Sequence, residues 1–199
     1  GIHQDLRVMH ARAAAAMDAP GYSIGGLSVG ESKDSMWATT EVVTRELPVE
    51  KPRYLMGVGS PEDLVNAVGR GVDMFDCVLA TRLARNGTIF TDTGRANIRN
   101  ARFAEDLSPL DPESTCPAAR DYSRAYLHHL MRAGELLGMM LLSWANIAYY
   151  QSMMQDIRAA IAQGRCAPPR YRSTRMPLHT PGEVSMCDSN AGCAIGSPA

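Results

Sequence analysis

The sequence predicts an α/β fold built from parallel βα units. Short apolar segments alternate three times with helical patterns, and tight loops join them. Each strand-like segment also runs into a loop of unusual composition: GGLSVGE, MGVGS, then DCVLATRLARNG. In parallel βα architecture, function gathers at the carboxyl ends of strands. Three such units in a row correspond to part of a (β/α)8 barrel. A complete barrel takes about 250 residues, so this chain holds roughly half of one.

Residues 4–18, QDLRVMHARAAAAMD, are alanine-rich with apolar positions at helical spacing, which predicts a helix. GYSIGGLSVGE gives a short strand at 22–25 and a glycine-rich turn. Residues 32–46 predict a second helix, started by Ser32 or Asp34 and closed before Pro48. RYLMGVG, 53–59, is the next strand. SPEDLVNAVGRG opens a third helix with Ser60 as cap, Pro61 in the first turn, and Glu62 and Asp63 at the positive end of the dipole. Gly69 and Gly71 end it. A third strand follows at 72–79, and the arginines after it read as a loop.

TIFTDTGRANIRN, 88–100, predicts a hairpin turning at Asp92-Thr93-Gly94. Residues 122–138 and 142–163 predict two amphipathic helices rich in Leu and Met. From Arg165 onward periodicity is lost and Pro, Gly and Ser abound, which predicts a disordered tail over 166–199. The organisation expected is thus βα units over 1–103, a second region over 104–165, and the tail.

Composition narrows the classes. A net charge of −1 and 45% apolar content describe a chain that can bury a core and that shows no global attraction to nucleic acid or membrane. No apolar run reaches membrane-spanning length. The N-terminus GIHQDLRVMH lacks a signal-peptide layout and starts without methionine, as though upstream sequence preceded it. Five cysteines (77, 116, 166, 187, 193) form no CxxC pair, which points to a reducing cytosol rather than a disulfide framework.

Three stretches could carry chemistry. VDMFDCVLA is an apolar run holding two aspartates, and an unpaired buried carboxylate is expensive. Asp73 and Asp76 are three apart, so on a strand they face opposite ways and form no dyad. Asp76 lies near the carboxyl end, where it is either satisfied by backbone amides or Arg82, or open for chemistry. Cys77, on the other face, reads as a small core residue. The adjacent glycines of GGLSVGE let backbone approach a flat ligand or an anion, and serve packing equally well. From Thr81 to Arg102, five arginines (82, 85, 95, 99, 102) oppose one acid, Asp92, a local charge of +4. Such a cluster either neutralises phosphates or is solvated surface, and only Phe90 and Phe103 accompany it.

Together GYSIGGLSVGE, KPRYLMGVGSPEDL, GVDMFDCV, TRLARNG, NIRNARFAEDLSPLDPE and YSRAYLHHL resemble, in order and spacing, the queuine tRNA-ribosyltransferase (tRNA-guanine transglycosylase) family. The resemblance covers about residues 1–165, the C-terminal half of the family's length. It implies a TIM-type (β/α)8 barrel with an inserted zinc subdomain. The activity it implies is that of a pentosyltransferase in the cytoplasm, partnered by tRNA and commonly dimeric. Guanine at the anticodon wobble position is exchanged for queuine or a 7-aminomethyl-7-deazaguanine precursor.

By the same resemblance Asp76 is the nucleophile, the Gly26 amide and Leu27 carbonyl bond the base, and Met56 packs on its face. Gly57, Val58, Gly59, Ser60, Pro61, Glu62 and Asp63 would contact tRNA. Thr81, Arg82, Leu83, Ala84 and Arg85 would read the bases around the wobble position. Ala80 stands where the family usually has proline.

Two departures follow from the same comparison. The family's zinc ligands, CxCxxC and a later histidine, fall on Ser114, Cys116, Ala119 and Ala145, so this chain is expected not to bind zinc. The family's N-terminal half, which supplies a second aspartate proposed as general acid/base and another that reads the base's amine edge, is absent here. A truncated or non-catalytic member that binds tRNA or a partner subunit is therefore the alternative reading.

Overall fold

The computed structural model describes residues 1–92 and 94–165. Helix α1 (Gln4–Ala15) leads into strand β1 (Tyr22–Ile24), then α2 (Lys33–Glu46), β2 (Arg53–Met56), α3 (Pro61–Val68) and β3 (Met74–Asp76). The strands form a parallel sheet in the order β1-β2-β3, with Ile24 opposite Leu55 and Met56 opposite Asp76. The start signals of the helices are used as written. Ser32 Oγ accepts the Ser35 amide, and Ser60 Oγ accepts the Asp63 amide at 3.2 Å ahead of Pro61.

Alternation sorts the strand residues. Ile24 and Leu55 are buried beneath the helices with Met36, Val43 and Val72. Burying an aliphatic side chain of this size stabilises by about 1.5–3 kcal/mol. Ser23, Met56, Met74 and Asp76 face the other, open side of the sheet. Helix α1 runs antiparallel to the strands and is fastened at both ends. The Tyr22 hydroxyl donates to Ala15 O at 3.2 Å at the foot of β1, while Arg7 donates to Gly25 O at 2.7 Å beyond its carboxyl end. The first turn of α1 therefore stands level with the carboxyl edge of the sheet.

The rest of the chain builds a second core. Helix α4 (Leu79–Arg85), the antiparallel hairpin β4 (Thr88–Thr91) and β5 (Gly94–Asn97), and helices α5 (Pro117–Arg120), α6 (Arg124–Ala133) and α7 (Leu136–Ala162) meet around Ala84, Ile89, Ile98, Leu127, Met131 and Leu142. Residues 79–103 thus share their core with 110–145. Leu64 of α3 packs with Met153 and Ile157 of α7, joining the two halves.

Within the second core Asn146, 1% exposed, donates through Nδ2 to Ala80 O and Thr88 O, both at 3.0 Å. Its Oδ1 accepts from Phe90 N at 3.1 Å. Taking the amide at one residue and the carbonyl two residues earlier is the pattern a parallel neighbouring strand makes. One side chain thereby completes the edge of β4.

Four expectations are corrected. The third strand stops at Asp76 rather than 79, because residues from Leu79 turn into α4 with Ala80 and Ala84 buried against α7. The arginines that read as a loop therefore begin on a helix. The helix break falls at Gly134, not at 139–141: Gly134 takes φ 78° and its amide returns to Leu130 O, a left-handed helix end that glycine accepts without strain. Cys77 is exposed rather than a core residue. The expected hairpin is present, although its turn residue Thr93, like the expected tail 166–199, lies outside the described residues. No described helix is long and apolar enough to cross a membrane.

Candidate active site

Asp76 ends β3 with its carboxylate exposed on the open face of the sheet. Oδ1 accepts from the Tyr54 hydroxyl at 2.6 Å and from the Gly57 amide at 3.2 Å. The Tyr54 bond first, and the Gly57 amide after it, hold the Asp76 pKa below the usual carboxylate value. The same bond raises that of Tyr54, which keeps its proton and donates it. Asp76 is therefore an oriented, ionised carboxylate open to solvent. Of the sequence alternatives, the backbone amide is present as a partner and Tyr54 is a partner that sequence reasoning missed. A cavity of about 240 Å³ adjoins it between β3 and α7, lined among others by Phe75, Asp76, Cys77, Ile147, Tyr150 and Met154.

The glycine turn follows β1 at the same edge. Gly26 has φ 65°, a conformation that L side chains rarely adopt. Leu27 is buried, with 5% of the whole residue exposed, and packs into the core beneath the sheet. Arg7 grips this turn from α1 through Nη1 to Gly25 O at 2.7 Å and Nη2 to Gly26 O at 3.0 Å. Glu31 closes its far side by accepting the Ser28 amide and, at 3.0 Å, the Val29 amide. Burial raises the Glu31 pKa, but these amide bonds outweigh it and the net shift is downward. Met56, 43% exposed, lies directly across from Asp76 on the open face. Gly26, Leu27, Met56 and Asp76 thus share one edge of the sheet.

The segments expected at RNA are placed unevenly. Within 57–63, Gly57 and Glu62 are exposed, Ser60 and Asp63 are half-buried, and Val58, Gly59 and Pro61 are buried. Asp63 forms an ion pair with Lys33, and Tyr150 OH donates to Gly59 O at 2.5 Å. In 81–85, Arg82 and Arg85 are exposed, Thr81 and Leu83 are half-buried, and Ala84 is fully buried. Thr81 Oγ1 donates to Val78 O at 3.2 Å. Arg95, Arg99 and Arg102 are exposed as well.

The four positions on which the family's zinc ligands fall do not fit a metal. Cys116, Ala119 and Ala145 are buried at 4%, 6% and 7% exposure in one apolar cluster. Ser114 Oγ accepts the Cys116 amide at 3.1 Å. One thiol, a hydroxyl and two methyl groups cannot supply the four strong donors of structural zinc. Among the described residues no group of three or more His, Cys, Asp or Glu side chains converges to hold an ion. His128 is engaged by Ile98 O at 2.7 Å.

Sequence reasoning also missed Arg7, Glu31 and Asn146. Glu31 alone had a readable signal, an acid closing a glycine turn. The other two act across 18 to 66 residues of chain.

A carboxylate oriented by hydrogen bonds at the carboxyl edge of a parallel βα sheet, beside a glycine turn, is the site pattern of α/β enzymes that work at strand ends. The queuine tRNA-ribosyltransferase family model matches residues 1–175, and the chain belongs to that family. It is 61% identical over 160 residues to the queuine tRNA-ribosyltransferase of Brucella melitensis biotype 1, covering 80% of this chain and 42% of that protein. The corresponding protein of Agrobacterium fabrum is 58% identical over 167 residues (84% and 44%), and that of Zymomonas mobilis 54% over 164 (82% and 42%). The chain thus spans less than half the length of these curated relatives.

Proposed function

We propose that this chain carries the nucleophile-bearing half of a tRNA-guanine transglycosylase, with β1–β3 as successive strands of a (β/α)8 barrel and the open face of the sheet as its inner wall. Residues 1–103 supply the site, and 104–165 form a subdomain that packs without zinc. The observation that carries the reading is Asp76: ionised, oriented by Tyr54 and Gly57, and exposed at a strand end.

Exchange of one base for another at the same anomeric carbon, with retained stereochemistry, calls for two displacements. Asp76 attacks C1′ of the wobble guanosine, the bond to guanine N9 breaks, and a ribosyl-aspartyl ester forms. The incoming base, deprotonated at N9, attacks the same carbon and releases the carboxylate. Protons leave and arrive through an acid/base partner that, by family resemblance, lies outside this chain; such a partner contributes about 10²–10⁴-fold. The wobble nucleotide must first be flipped into the pocket. Gly26 and Leu27 bind the base through their backbone and Met56 packs on it. Segments 57–63 and 81–85 meet the tRNA, with backbone groups serving where the side chains of Val58, Pro61 and Ala84 are buried. The incoming base is queuine or its 7-deazaguanine precursor, the full-length form is a dimer, and the setting is the cytoplasm.

A second reading, a tRNA-binding member without catalysis, is favoured by the apolar cluster at the zinc positions. Exchange of labelled guanine in wobble-guanine tRNA by the full-length protein and its Asp76→Asn variant separates the two. We expect exchange by the former and a loss of at least roughly several hundredfold in the latter, the scale of removing one catalytic group. Equal exchange by both would remove Asp76 from the mechanism, and tRNA binding with no exchange by either would establish the second reading.

A further inference from the structure

We propose that Arg7 is a positioning residue for base recognition: its guanidinium, reaching from α1, fixes the peptide planes of the glycine turn so that their amides face the base. The inference rests on residues 25–27 being the base-recognising turn. It concerns how the turn is held, not whether exchange occurs.

The geometry is that of a fork on two successive carbonyls. Nη1 donates to Gly25 O at 2.7 Å, Nη2 to Gly26 O at 3.0 Å, and Nε to Gly1 O at 2.7 Å. In a trans peptide the carbonyl and the following N–H point in opposite directions. Capturing the Gly25 and Gly26 carbonyls on the α1 side therefore turns the Gly26 and Leu27 N–H groups to the other side. Without the fork, either plane is free to rotate, since Gly26 sits at φ 65° and glycine crosses φ/ψ space at low cost. A cation on the carbonyl also polarises the peptide and strengthens its N–H as a donor.

The placement is not accidental to the helix. α1 is antiparallel to β1, so its first turn is the part of the layer that stands beside the strand end. A Cβ at Gly26 would lie 3.4 Å from Arg7 Nη2, so the turn and the guanidinium are in close contact. Arg7 is chemically suited where lysine is not, because a planar fork can hold two carbonyls at once while an ammonium is a single point. The Gly26 N–H, turned this way, recognises an acceptor. The acceptor that guanine and 7-deazaguanine share away from the ribose is the 6-oxo group.

The test measures equilibrium binding of guanine and of 2-aminopurine, which lacks the 6-oxo group, to the full-length protein and to its Arg7→Met and Arg7→Lys variants. Thermal melting and tRNA binding are followed alongside. We expect Arg7→Met to lower the guanine over 2-aminopurine preference by about 10-fold or more, as for loss of an oriented hydrogen bond. Binding of 2-aminopurine and tRNA should stay within about twofold of the parent on the same scale, and Arg7→Lys should fall between. An unchanged preference in Arg7→Met overturns the proposal. So does an equal weakening of both bases and tRNA with a lowered melting point, which is what a merely structural tie would give. A parent protein that shows the preference but exchanges no base sinks the transglycosylase reading and leaves the Arg7 result standing; one that binds no guanine overturns both.

Discussion

Replacing Asn146 by leucine removes the side chain that joins α7 to both α4 and β4 while nearly conserving volume. Three hydrogen bonds of 3.0, 3.0 and 3.1 Å are lost together. Each contributes about 0.5–1.5 kcal/mol net, and the Thr88 carbonyl and Phe90 amide on the outer edge of β4 lose this partner, so the expected cost is about 3–5 kcal/mol. At this chain length that corresponds to a melting point lower by roughly 6–20 °C. Urea unfolding followed by circular dichroism, extrapolated linearly to water, measures it directly. Asn146→Asp is the sharper control. At neutral pH it keeps an acceptor for the Phe90 amide but points a second carboxylate oxygen at the Ala80 and Thr88 carbonyls, so it should be less stable than the parent and recover partly as acid protonates it. An Asn146→Leu protein within about 1 kcal/mol of the parent, at unchanged m-value, would refute the reasoning, because a satisfied interior amide cannot be that cheap to lose.

Two further outcomes follow from the site and from the second core. Tyr54 is the largest influence holding the Asp76 pKa down, so Tyr54→Phe raises that pKa and the ionised form is lost at a higher pH on acidification; the acid limb of the kcat/KM profile for base exchange should move upward in pH, and an unmoved or lowered limb would contradict the hydrogen bond's role. Purified protein should contain well below one equivalent of zinc, and Cys116→Ala should leave metal content unchanged while costing only what trimming a buried sulfur costs, about 1–2 kcal/mol; a stoichiometric metal would refute the reading, its loss on that substitution marking Cys116 as a ligand and its retention placing the ligand set elsewhere.

What could be read from sequence was whatever is written locally. Ser60, Pro61, Glu62 and Asp63 announce the start of α3 because capping is a matter of three adjacent residues. The three strands were legible from their apolar runs, and Asp76 from an acid inside one of them. The run through residue 79 was overextended, since an apolar segment cannot by itself be told from a buried helix start, and α4 has no side-chain cap to mark its beginning. Gly134 is a stop that local sequence does carry, ahead of the break expected at 139–141. Tyr54 could not be found this way: it reaches Asp76 only because the register sets Met56 opposite it, and register is a property of two strands. Alternation set Cys77 on a covered face, but β3 ends at Asp76, and Cys77 is exposed and lines the same cavity as Asp76.

The helical state of residues 79–85 has a consequence for any polyanion that meets them. Arg82 and Arg85, three apart on α4, project from neighbouring positions of one helix surface. Ala80 O is held by Asn146, and Ala84 is sealed in the core. A mobile loop would surrender on the order of 1–2 kcal/mol of backbone freedom per residue at the moment of contact. Here that freedom is already gone when the chain folds, and only the two long side chains remain to be stilled.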